Sequence, residues 1–146
     1  MTIYLLHGCN LDMLGRRRQE HYGGITLQML ENEVVRKGRE LGMKVRSFQT
    51  NHEGDLVEKI HELVDRADGI VINPGAWTHY SYAIRDALEI LDAPVAEVHL
   101  SDIYAREEWR RRSVISDVCA VTIAGKGLQG YVEALEWLAA EIGSTG

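Results

Sequence analysis

The segment "LGRRRQEHYGG", residues 14–24, places three consecutive arginines shortly before a tyrosine. Tyrosine is almost entirely protonated at neutral pH and is a poor base on its own. A nearby positive charge favours the phenolate, and arginine suits this purpose because it keeps its own charge. One arginine of the run could therefore make Tyr22 a general base. Solvated arginines beside a surface tyrosine would give the same sequence, so both interpretations stay open on this segment alone.

A second set of polar residues and glycines comes where apolar strands are expected to end. The set consists of His7, Gly8, Asn51, His52, Asn73, Pro74, Gly75, His99, Ser101 and Gly125. In sheets of parallel strands, ligands bind beyond the carboxyl ends of the strands, near the point where strand order reverses. Taken singly, such a residue could instead cap the helix that follows its strand. Taken together, the set predicts a polar site at one edge of a sheet.

Several other kinds of site do not fit the sequence. The segment "GKGLQG", residues 125–130, lacks the spacing of a P-loop and the serine or threonine after its lysine. The segment "GAWTHYS", residues 75–81, is not a serine-hydrolase motif, and no dinucleotide fingerprint follows the first strand. His79 and His99 lack the carboxylates or the H-x-x-x-H spacing of a metal site, so no metal is expected.

Composition restricts the class of protein further. The chain has 146 residues, the size of one domain, with a net charge of −6 and 45% hydrophobic residues. A general nucleic-acid-binding protein would usually be basic, and no apolar run is long enough to cross a bilayer. Neither nucleic acid nor membrane is therefore an expected partner. Cys9 and Cys119 form no metal-type pair, which predicts reduced thiols in a cytoplasmic protein.

Strand and helix patterns alternate along the chain. Apolar or alternating runs predict strands in residues 2–8, 43–50, 69–75, 93–101 and 118–127. Apolar residues at helical spacing predict helices from Leu27 to a stop at Gly42, and over residues 54–67, 80–91 and 128–143. Residues 8–24 predict a long lid loop, and residues 105–113 predict a charged loop or short helical turn. The alternation predicts one α/β domain, residues 1–146, with five parallel strands covered by helices on both faces.

Five segments, in order along the chain, carry a family resemblance: "GCNLDMLGRRRQEHYG", "QTNHEGDLVEKIH", "INPGAWTHYSYAIRDAL", "EVHLSDIYAREEWRRRS" and "IAGKGLQGYVEAL". The chain resembles the type II 3-dehydroquinate dehydratases on all of them. The resemblance implies a flavodoxin-like three-layer fold with a five-stranded parallel sheet. It also implies an enzyme that converts 3-dehydroquinate to 3-dehydroshikimate without metal or organic cofactor, assembled from trimers into a dodecamer.

The resemblance also implies roles for individual residues. Tyr22 matches the general base, Arg17 the lid arginine that favours its phenolate, and His99 the acid that protonates the departing hydroxyl. Asn10 matches the asparagine that organises the tyrosine and an enolate-stabilising water. The implied substrate-binding residues are Asn73, His79, Asp86, Leu100, Ser101 and Arg110. Of these, Asp86 would reach in from a neighbouring subunit. The implied reaction is an anti elimination of water through an enolate.

The chain departs from the family pattern mainly in the lid and in the loop after the fourth strand. The departures are Cys9, Asp12, Arg18, Gln19, Asp102, Tyr104, Arg111 and Arg112. The family usually has proline at position 19, and its loss predicts a looser lid. A divergent paralogue acting on a related cyclic hydroxy-ketone acid therefore stays open, as do a flavodoxin-like module for a nucleotide or flavin and a catalytically weakened scaffold. The sequence does not distinguish shikimate and aromatic amino acid synthesis from quinate breakdown.

Overall fold

The structure, a computed structural model that describes residues 1–145, is built on one parallel β-sheet. Its strands are β1 (Thr2–His7), β2 (Lys44–Gln49), β3 (Gly69–Asn73), β4 (Val95–His99) and β5 (Val121–Ala124). They lie in the order β2-β1-β3-β4-β5, and each neighbouring pair is parallel. This strand order is that of the flavodoxin-like fold, and it confirms the predicted α/β architecture.

Helices cover both faces of the sheet. They are α1 (Gln19–Tyr22), α2 (Leu27–Glu40), α3 (Glu53–Leu63), α4 (Tyr82–Glu89) and α5 (Leu128–Thr145). Leu30 of α2 and Leu135 of α5 belong to the hydrophobic cluster on one face. Leu56 of α3 and Ile84 of α4 belong to a second cluster on the opposite face. None of the helices in the described part of the chain is long and apolar enough to span a bilayer.

Some element boundaries differ from the predicted ones, because turns and capping residues shorten elements that the hydrophobic pattern would extend. The helix predicted to reach residue 67 ends at Leu63, since Val64 leaves the helical conformation with ψ of 127° and Asp65 has a positive φ of 63°. The strand predicted over residues 118–127 is limited to β5, because a 3₁₀ turn at Ser116–Val118 precedes it. The helix predicted from residue 80 begins at Tyr82, because Ser81 caps α4.

The segment predicted as a lid loop, residues 8–24, contains regular structure. Leu11–Arg16 form a 3₁₀ helix, and α1 is a single α-helical turn. Leu11 and Leu14 are buried in the same hydrophobic cluster as Leu30, which anchors the first part of the segment to the core. No residue of α1 is buried. After Leu14 the segment contacts this cluster only through the partly buried Tyr22.

Candidate active site

A cavity opens at the carboxyl ends of β1, β3 and β4. It contains about 520 Å³, its open mouth included, which is a size suited to a small molecule. Its lining brings together Asn10, Arg17, Tyr22, Asn73, His79, His99, Leu100, Ser101 and Arg110. These are all of the catalytic and substrate-binding residues predicted from the sequence except Asp86. That aspartate lies exposed on α4, outside the cavity of its own protomer.

The ends of β1 and β3 approach each other so closely that the chain needs glycine there. The Gly8 N–H donates to the carbonyl oxygen of Asn73 at 2.8 Å. A Cβ atom at Gly8 would lie 2.1 Å from the carbonyl oxygen of Pro74, which is far below contact distance. Gly75 has a positive φ of 66°, which glycine adopts without strain. This close approach places Asn73 at the cavity wall.

Asn10 directly follows the β1 turn and adopts a left-handed conformation, with φ of 69°. Asparagine tolerates this conformation better than most residues. The Asn10 N–H donates to Asn51 Oδ1 at 2.8 Å, and Asn51 Nδ2 donates to Asp12 Oδ2 at 3.1 Å. Asn51, one of the strand-end candidates, therefore fixes the Asn10 backbone through this hydrogen bond. It does not line the cavity.

The side chain of Asn73 is held at both ends of its amide. Its Oδ1 accepts from the Gly75 N–H at 3.1 Å, and its Nδ2 donates to the hydroxyl of Tyr131 at 3.1 Å. Tyr131 is fully buried, and this burial raises the pKa of its phenol. Because the Gly75 contact fixes the oxygen, the second N–H of Asn73 remains for a ligand. Asn73 is thus arranged as a hydrogen-bond donor.

His79 is arranged as an acceptor. Its Nδ1 lies 2.7 Å from the carbonyl oxygen of Arg112, and because a carbonyl only accepts, Nδ1 carries the ring proton. Burial lowers the pKa of His79, so the ring is neutral at neutral pH and Nε2 keeps its lone pair. The ring of Trp109 packs edge-on against the imidazole, with 5.3 Å between ring centroids.

His99 lies at the end of β4 and is bound to a carboxylate. Its Nε2 is 2.6 Å from Glu97 Oε2, and both side chains are buried. Glu97 precedes His99 by two residues, so the two side chains lie on the same face of the strand. The sequence reasoning did not single out Glu97, because one acidic residue inside the strand "VAEVH" resembles an ordinary exposed position.

Tyr22 contacts two guanidinium groups. Nη1 of Arg106 donates to the phenol oxygen at 2.7 Å and lies 3.3 Å from Ser101 Oγ. Cζ of Arg17 lies 4.1 Å from the centroid of the tyrosine ring. Arg106 therefore connects the tyrosine to the end of β4, while Arg17 covers the face of its ring.

The other two arginines of the run are exposed. The Arg18 side chain is 78% exposed and lies 3.9 Å from Glu20, which is itself in solvent. Arg16 is also exposed, and neither Arg16 nor Arg18 lines the cavity that contains Tyr22 and His99. Within residues 1–145, no group of three or more His, Cys, Asp and Glu side chains is placed to hold a metal ion.

A family model described as dehydroquinase class II matches residues 1–139. The chain belongs to the class II dehydroquinase family. A 3-dehydroquinate dehydratase from Leptothrix cholodnii is 49% identical to it over 136 residues, which are 92% of this chain and 91% of that protein. A 3-dehydroquinate dehydratase from Thermotoga maritima is 49% identical over 138 residues, 94% of each chain. The family resemblance inferred from the five segments is therefore confirmed.

Solved class II dehydroquinase structures have the same fold. The type II dehydroquinase from Propionibacterium acnes superposes with a TM-score of 0.91 at 48% identity, covering 95% of this chain and 96% of that one. The type II dehydroquinase from Butyrivibrio crossotus superposes with a TM-score of 0.92 at 44% identity, covering 94% and 97%. The flavodoxin-like assignment is thus confirmed by comparison as well as by strand order.

The sequence reasoning on this class II dehydroquinase missed Arg106. That reasoning placed one guanidinium, Arg17, against the phenol, whereas the phenol oxygen accepts its hydrogen bond from Arg106. The two partners are 84 positions apart, and the charged segment 105–113 offers four arginines with no pattern that distinguishes one. The position of Arg106 in the chain was the available signal. Arg106 lies shortly after the carboxyl end of β4, where His99 and Ser101 were already candidate site residues.

Proposed function

We propose that this class II dehydroquinase converts 3-dehydroquinate to 3-dehydroshikimate by elimination of water. One observation carries the proposal: a single cavity contains a tyrosine hydroxyl held by a guanidinium and a histidine held by a buried carboxylate. These two pairs supply a base and an acid on different elements. The relatives named 3-dehydroquinate dehydratase, identical at nearly half of the aligned positions, support the same substrate.

Tyr22 acts as the general base in this proposal. The hydrogen bond from Arg106 to the phenol oxygen and the charge of Arg17 over the ring both favour the phenolate. The phenolate removes a proton from the carbon beside the ketone, and the electrons move onto the ketone oxygen to form an enolate. Asn10, in the same lining, orders the water that donates a hydrogen bond to this oxygen.

His99 acts as the general acid. As an imidazolium it gives a proton to the departing hydroxyl, while the enolate collapses and the carbon–oxygen bond breaks. Tyr22 comes from the lid segment and His99 from β4. A base and an acid on different sides of the bound ring suit an anti elimination, in which the proton and the hydroxyl leave from opposite faces.

The remaining cavity residues complement a small polyhydroxylated acid. The Ser101 hydroxyl and the backbone around Leu100 and Ser101 bind the carboxylate. Asn73 donates to one substrate hydroxyl, and the free Nε2 of His79 accepts from another. Arg110, whose Nε pairs with Glu107 at 2.6 Å, contributes a further donor. The reaction then needs proton transfer and charge stabilisation, and we propose no metal or organic cofactor for it.

The direct test is turnover of 3-dehydroquinate by the purified protein. Formation of the conjugated enone carboxylate is followed by ultraviolet absorbance and by proton NMR. Substrate deuterated stereospecifically at the carbon beside the ketone should lose only the label anti to the departing hydroxyl. Loss of the other label would contradict the anti mechanism. No turnover, together with turnover of a related cyclic hydroxy-ketone acid, would favour the divergent paralogue instead.

We also propose that the protein assembles from trimers into a dodecamer, with Asp86 completing a neighbouring site. Asp86 is exposed on α4 and does not line its own cavity. The same region exposes three large apolar side chains, with Tyr80 at 59%, Tyr82 at 56% and Ile90 at 54%. Grouped exposure of this kind is typical of a surface that is covered by a partner.

Two measurements test the assembly. Light scattering on the purified protein should give the mass of twelve chains, and a monomer at micromolar concentration would contradict the proposal. Coexpression of Asp86→Ala chains with Tyr22→Phe chains tests the shared site. Each variant alone should be inactive, but mixed trimers should regain part of the activity, because an Asp86→Ala chain keeps its own Tyr22 and receives Asp86 from its neighbour. Without regain, Asp86 does not act across the interface.

We place the enzyme in the cytoplasm and in the shikimate pathway. The free cysteines Cys9 and Cys119 suit a reducing compartment. Expression in a bacterial strain that lacks its own dehydroquinase should restore growth without aromatic amino acids. Expression induced only by quinate in the native host would instead favour a catabolic role.

A further inference from the structure

We propose that the mouth of the catalytic cavity contains a second anion site, which binds a multiply charged oxyanion and excludes the substrate while it is occupied. The site is an open depression of about 810 Å³, its opening to solvent included, next to the cavity. Its lining, called the arginine vestibule, consists of Arg16, Arg17, Arg18, Tyr22, Arg106, Glu107 and Arg110. The exclusion of substrate rests on the proposed function, whereas the binding of the anion does not.

The arginine vestibule concentrates positive charge in an acidic protein. It contains five of the 16 lysine and arginine residues, although the chain has a net charge of −6. Within the described residues, Glu107 is the only carboxylate of this lining. Arginine keeps its charge, and its N–H groups pair with the oxygens of carboxylates and phosphates. A concave surface that carries one sign of charge in this way attracts ions of the opposite sign.

The backbone between the 3₁₀ helix and α1 spreads the three consecutive arginines. Arg17 is extended, with φ of −93° and ψ of 168°, and Arg18 also leaves the helical conformation, with ψ of 121°. Successive side chains of an extended segment point to opposite sides, so Arg16 and Arg18 flank Arg17. Arg17 covers the ring of Tyr22 and lines both the vestibule and the catalytic cavity. Arg16 and Arg18 line the vestibule but not the catalytic cavity.

A reaction on a monocarboxylate does not account for Arg16 and Arg18. Arg18 pairs with Glu20 at 3.9 Å, and both of these side chains are mainly in solvent. Among the described residues, Arg16 has no carboxylate at ion-pair distance. The substrate of the proposed function carries one carboxylate, which the end of β4 around Ser101 binds inside the catalytic cavity. The additional positive charge outside that cavity therefore suits a ligand with two or more negative charges.

Glu107 shows how the arginine vestibule holds an oxyanion. Its Oε2 accepts from Nε of Arg110 at 2.6 Å, although the Glu107 side chain is 54% exposed. The hydrogen bond from Arg110, together with the charges of Arg110 and Arg106, holds the pKa of Glu107 below its ordinary value. Nε of Arg106 is buried and has no hydrogen-bond partner in the described part of the chain. One internal carboxylate therefore neutralises only part of the charge, and guanidinium donors remain for an external anion.

The arginine vestibule and the catalytic cavity are contiguous. They share four lining residues, Arg17, Tyr22, Arg106 and Arg110. An anion held by Arg16 and Arg18 lies across the opening through which a substrate reaches the catalytic cavity. It also competes with the phenol of Tyr22 for the guanidinium groups that contact it. Phosphate compounds and polycarboxylates both have the required cluster of charged oxygens, and either class would inhibit the enzyme by occupying this site.

Isothermal titration calorimetry with inorganic pyrophosphate and with citrate tests the binding directly. Sodium chloride keeps the ionic strength constant, because salt screens exposed charges. Each wild-type chain should bind one of these anions, and acetate, a monoanion, should bind much more weakly. Tighter binding of pyrophosphate supports a phosphate compound as the ligand, and tighter binding of citrate supports a polycarboxylate. No binding of either anion at millimolar concentration, or equally tight binding of acetate, would overturn the proposal.

Charge removal at Arg16 and Arg18 locates the bound anion. Arg16→Gln and Arg18→Gln should each weaken the binding of pyrophosphate by about 3–10-fold, the effect of one charged hydrogen bond at an exposed position. Arg66→Gln is the matched control, because it makes the same change in net charge. The exposed Arg66 lies shortly before β3, at the amino ends of the strands and therefore opposite the cavity. Equal weakening in all three variants would mean that only net charge matters, and the proposal would be wrong.

Glu107→Gln gives a change of the opposite sign. It removes the internal carboxylate of the arginine vestibule, so the affinity for pyrophosphate should rise by about 3–10-fold. Glu58→Gln makes the same change in net charge at an exposed position of α3 and should leave the affinity unchanged. An affinity that is unchanged or lower in Glu107→Gln would contradict the proposed location of the anion.

Kinetics test whether the bound anion excludes the substrate. Pyrophosphate should raise the KM for 3-dehydroquinate and leave kcat unchanged, and Arg16→Gln and Arg18→Gln should weaken this inhibition without changing turnover in the absence of the anion. Bound pyrophosphate that leaves KM unchanged would contradict a site at the mouth. Calorimetry needs no substrate, so the two proposals fail separately. Anion binding that depends on Arg18 in a protein without 3-dehydroquinate turnover supports the site and contradicts the proposed function, and turnover without anion binding does the reverse.

Discussion

The two walls of the cavity are built in different ways. The strand wall, Asn73, His99 and Ser101, consists of residues at most 7% exposed that directly terminate or follow β3 and β4. The lid wall, Arg17 and Tyr22, belongs to a segment whose single helical turn has no buried residue. Sheet hydrogen bonds hold His99 in place, whereas a few side-chain contacts hold Tyr22. Conservative changes in the lid wall should therefore affect catalysis far more than stability, and changes in the strand wall should affect both.

The largest effect on the lid wall is expected from Tyr22→Phe. The variant keeps the ring and its packing but removes the base, so kcat should fall by about 10²–10⁴-fold, roughly 3–5 kcal/mol of barrier. The melting temperature should change little, because phenylalanine keeps the packing of the ring against the core and only the hydrogen bond from Arg106 is lost. Steady-state kinetics and a thermal melt check both parts. A variant with half the wild-type rate would remove Tyr22 from the base role.

Arg106→Ala and Arg17→Ala separate the two guanidinium contacts of the tyrosine. We expect Arg106→Ala to lower kcat by about 10²–10³-fold, the usual cost of one donor to a developing or existing oxyanion. Arg17→Ala should cost less, because Arg17 lies over the ring and not at the oxygen. Steady-state kinetics on the two variants at one pH give both values of kcat. The exposed Arg16→Ala is the control, and a loss there equal to that of Arg17→Ala would contradict this account.

Gly8→Ala tests the strand wall through stability. The added Cβ would lie 2.1 Å from the Pro74 carbonyl oxygen, so β1 and β3 must move apart at the cavity. The free energy of unfolding should fall by about 1–3 kcal/mol or more, measured by denaturant titration. Gly54→Ala is the matched control, because nothing lies within 4 Å of its Cβ position in α3, and it should be neutral or stabilising. Equal effects of the two substitutions would disprove the close-approach argument.

The acceptor role of His79 predicts a pH dependence of binding. Because burial lowers the pKa of His79, the ring stays neutral until the pH falls below the ordinary histidine range. Protonation then removes the acceptor lone pair on Nε2, so KM should rise at acidic pH, by about tenfold for one lost hydrogen bond. His79→Gln should make this rise in KM disappear. An equal rise of KM at acidic pH in wild type and in His79→Gln would mean that His79 is not the acceptor responsible.

The smallest effect is expected from Arg18→Glu. The Arg18 side chain is 78% exposed, and screening weakens the interaction of such a charge with the site. The resemblance implies glutamate at this position, so activity on 3-dehydroquinate should be preserved or slightly improved. Comparison of kcat/KM at two salt concentrations checks this expectation. Abolished activity would indicate a lid rebuilt around Arg18 and would favour the divergent paralogue.

The sequence was sufficient for the fold class, because period-two and period-3.6 patterns depend on burial within each element. It did not predict where α3 ends, because the hydrophobic spacing continues past Leu63 although the backbone turns at Val64 and Asp65. The lid is a similar case. Leu11 and Leu14 are core residues inside a segment that has no regular period.

For the site, the strand-end rule was the most productive reasoning, because the carboxyl ends of parallel strands must share one edge. The rule cannot separate residues that face a cavity from those that support it. His7 is fully buried beside Glu31, with Nε2 at 3.4 Å from that carboxylate, and it does not line the cavity. Arg106 and Glu97 were missed for the opposite reason. Their importance comes from partners brought near by the fold, which spacing along the chain does not reveal.

The strand order β2-β1-β3-β4-β5 has a consequence for how the chain could be divided. The first three strands along the chain are contiguous in the sheet, and so are the last two, so a cut at the exposed Asp92 would separate two sets of adjacent strands. Tyr22, the proposed base, would stay on one fragment, and His99, the proposed acid, on the other. Two hydrogen bonds, Tyr22–Arg106 and Asn73–Tyr131, would join one fragment to the other. Neither fragment could catalyse alone, and turnover would become a direct reporter of their noncovalent reassembly.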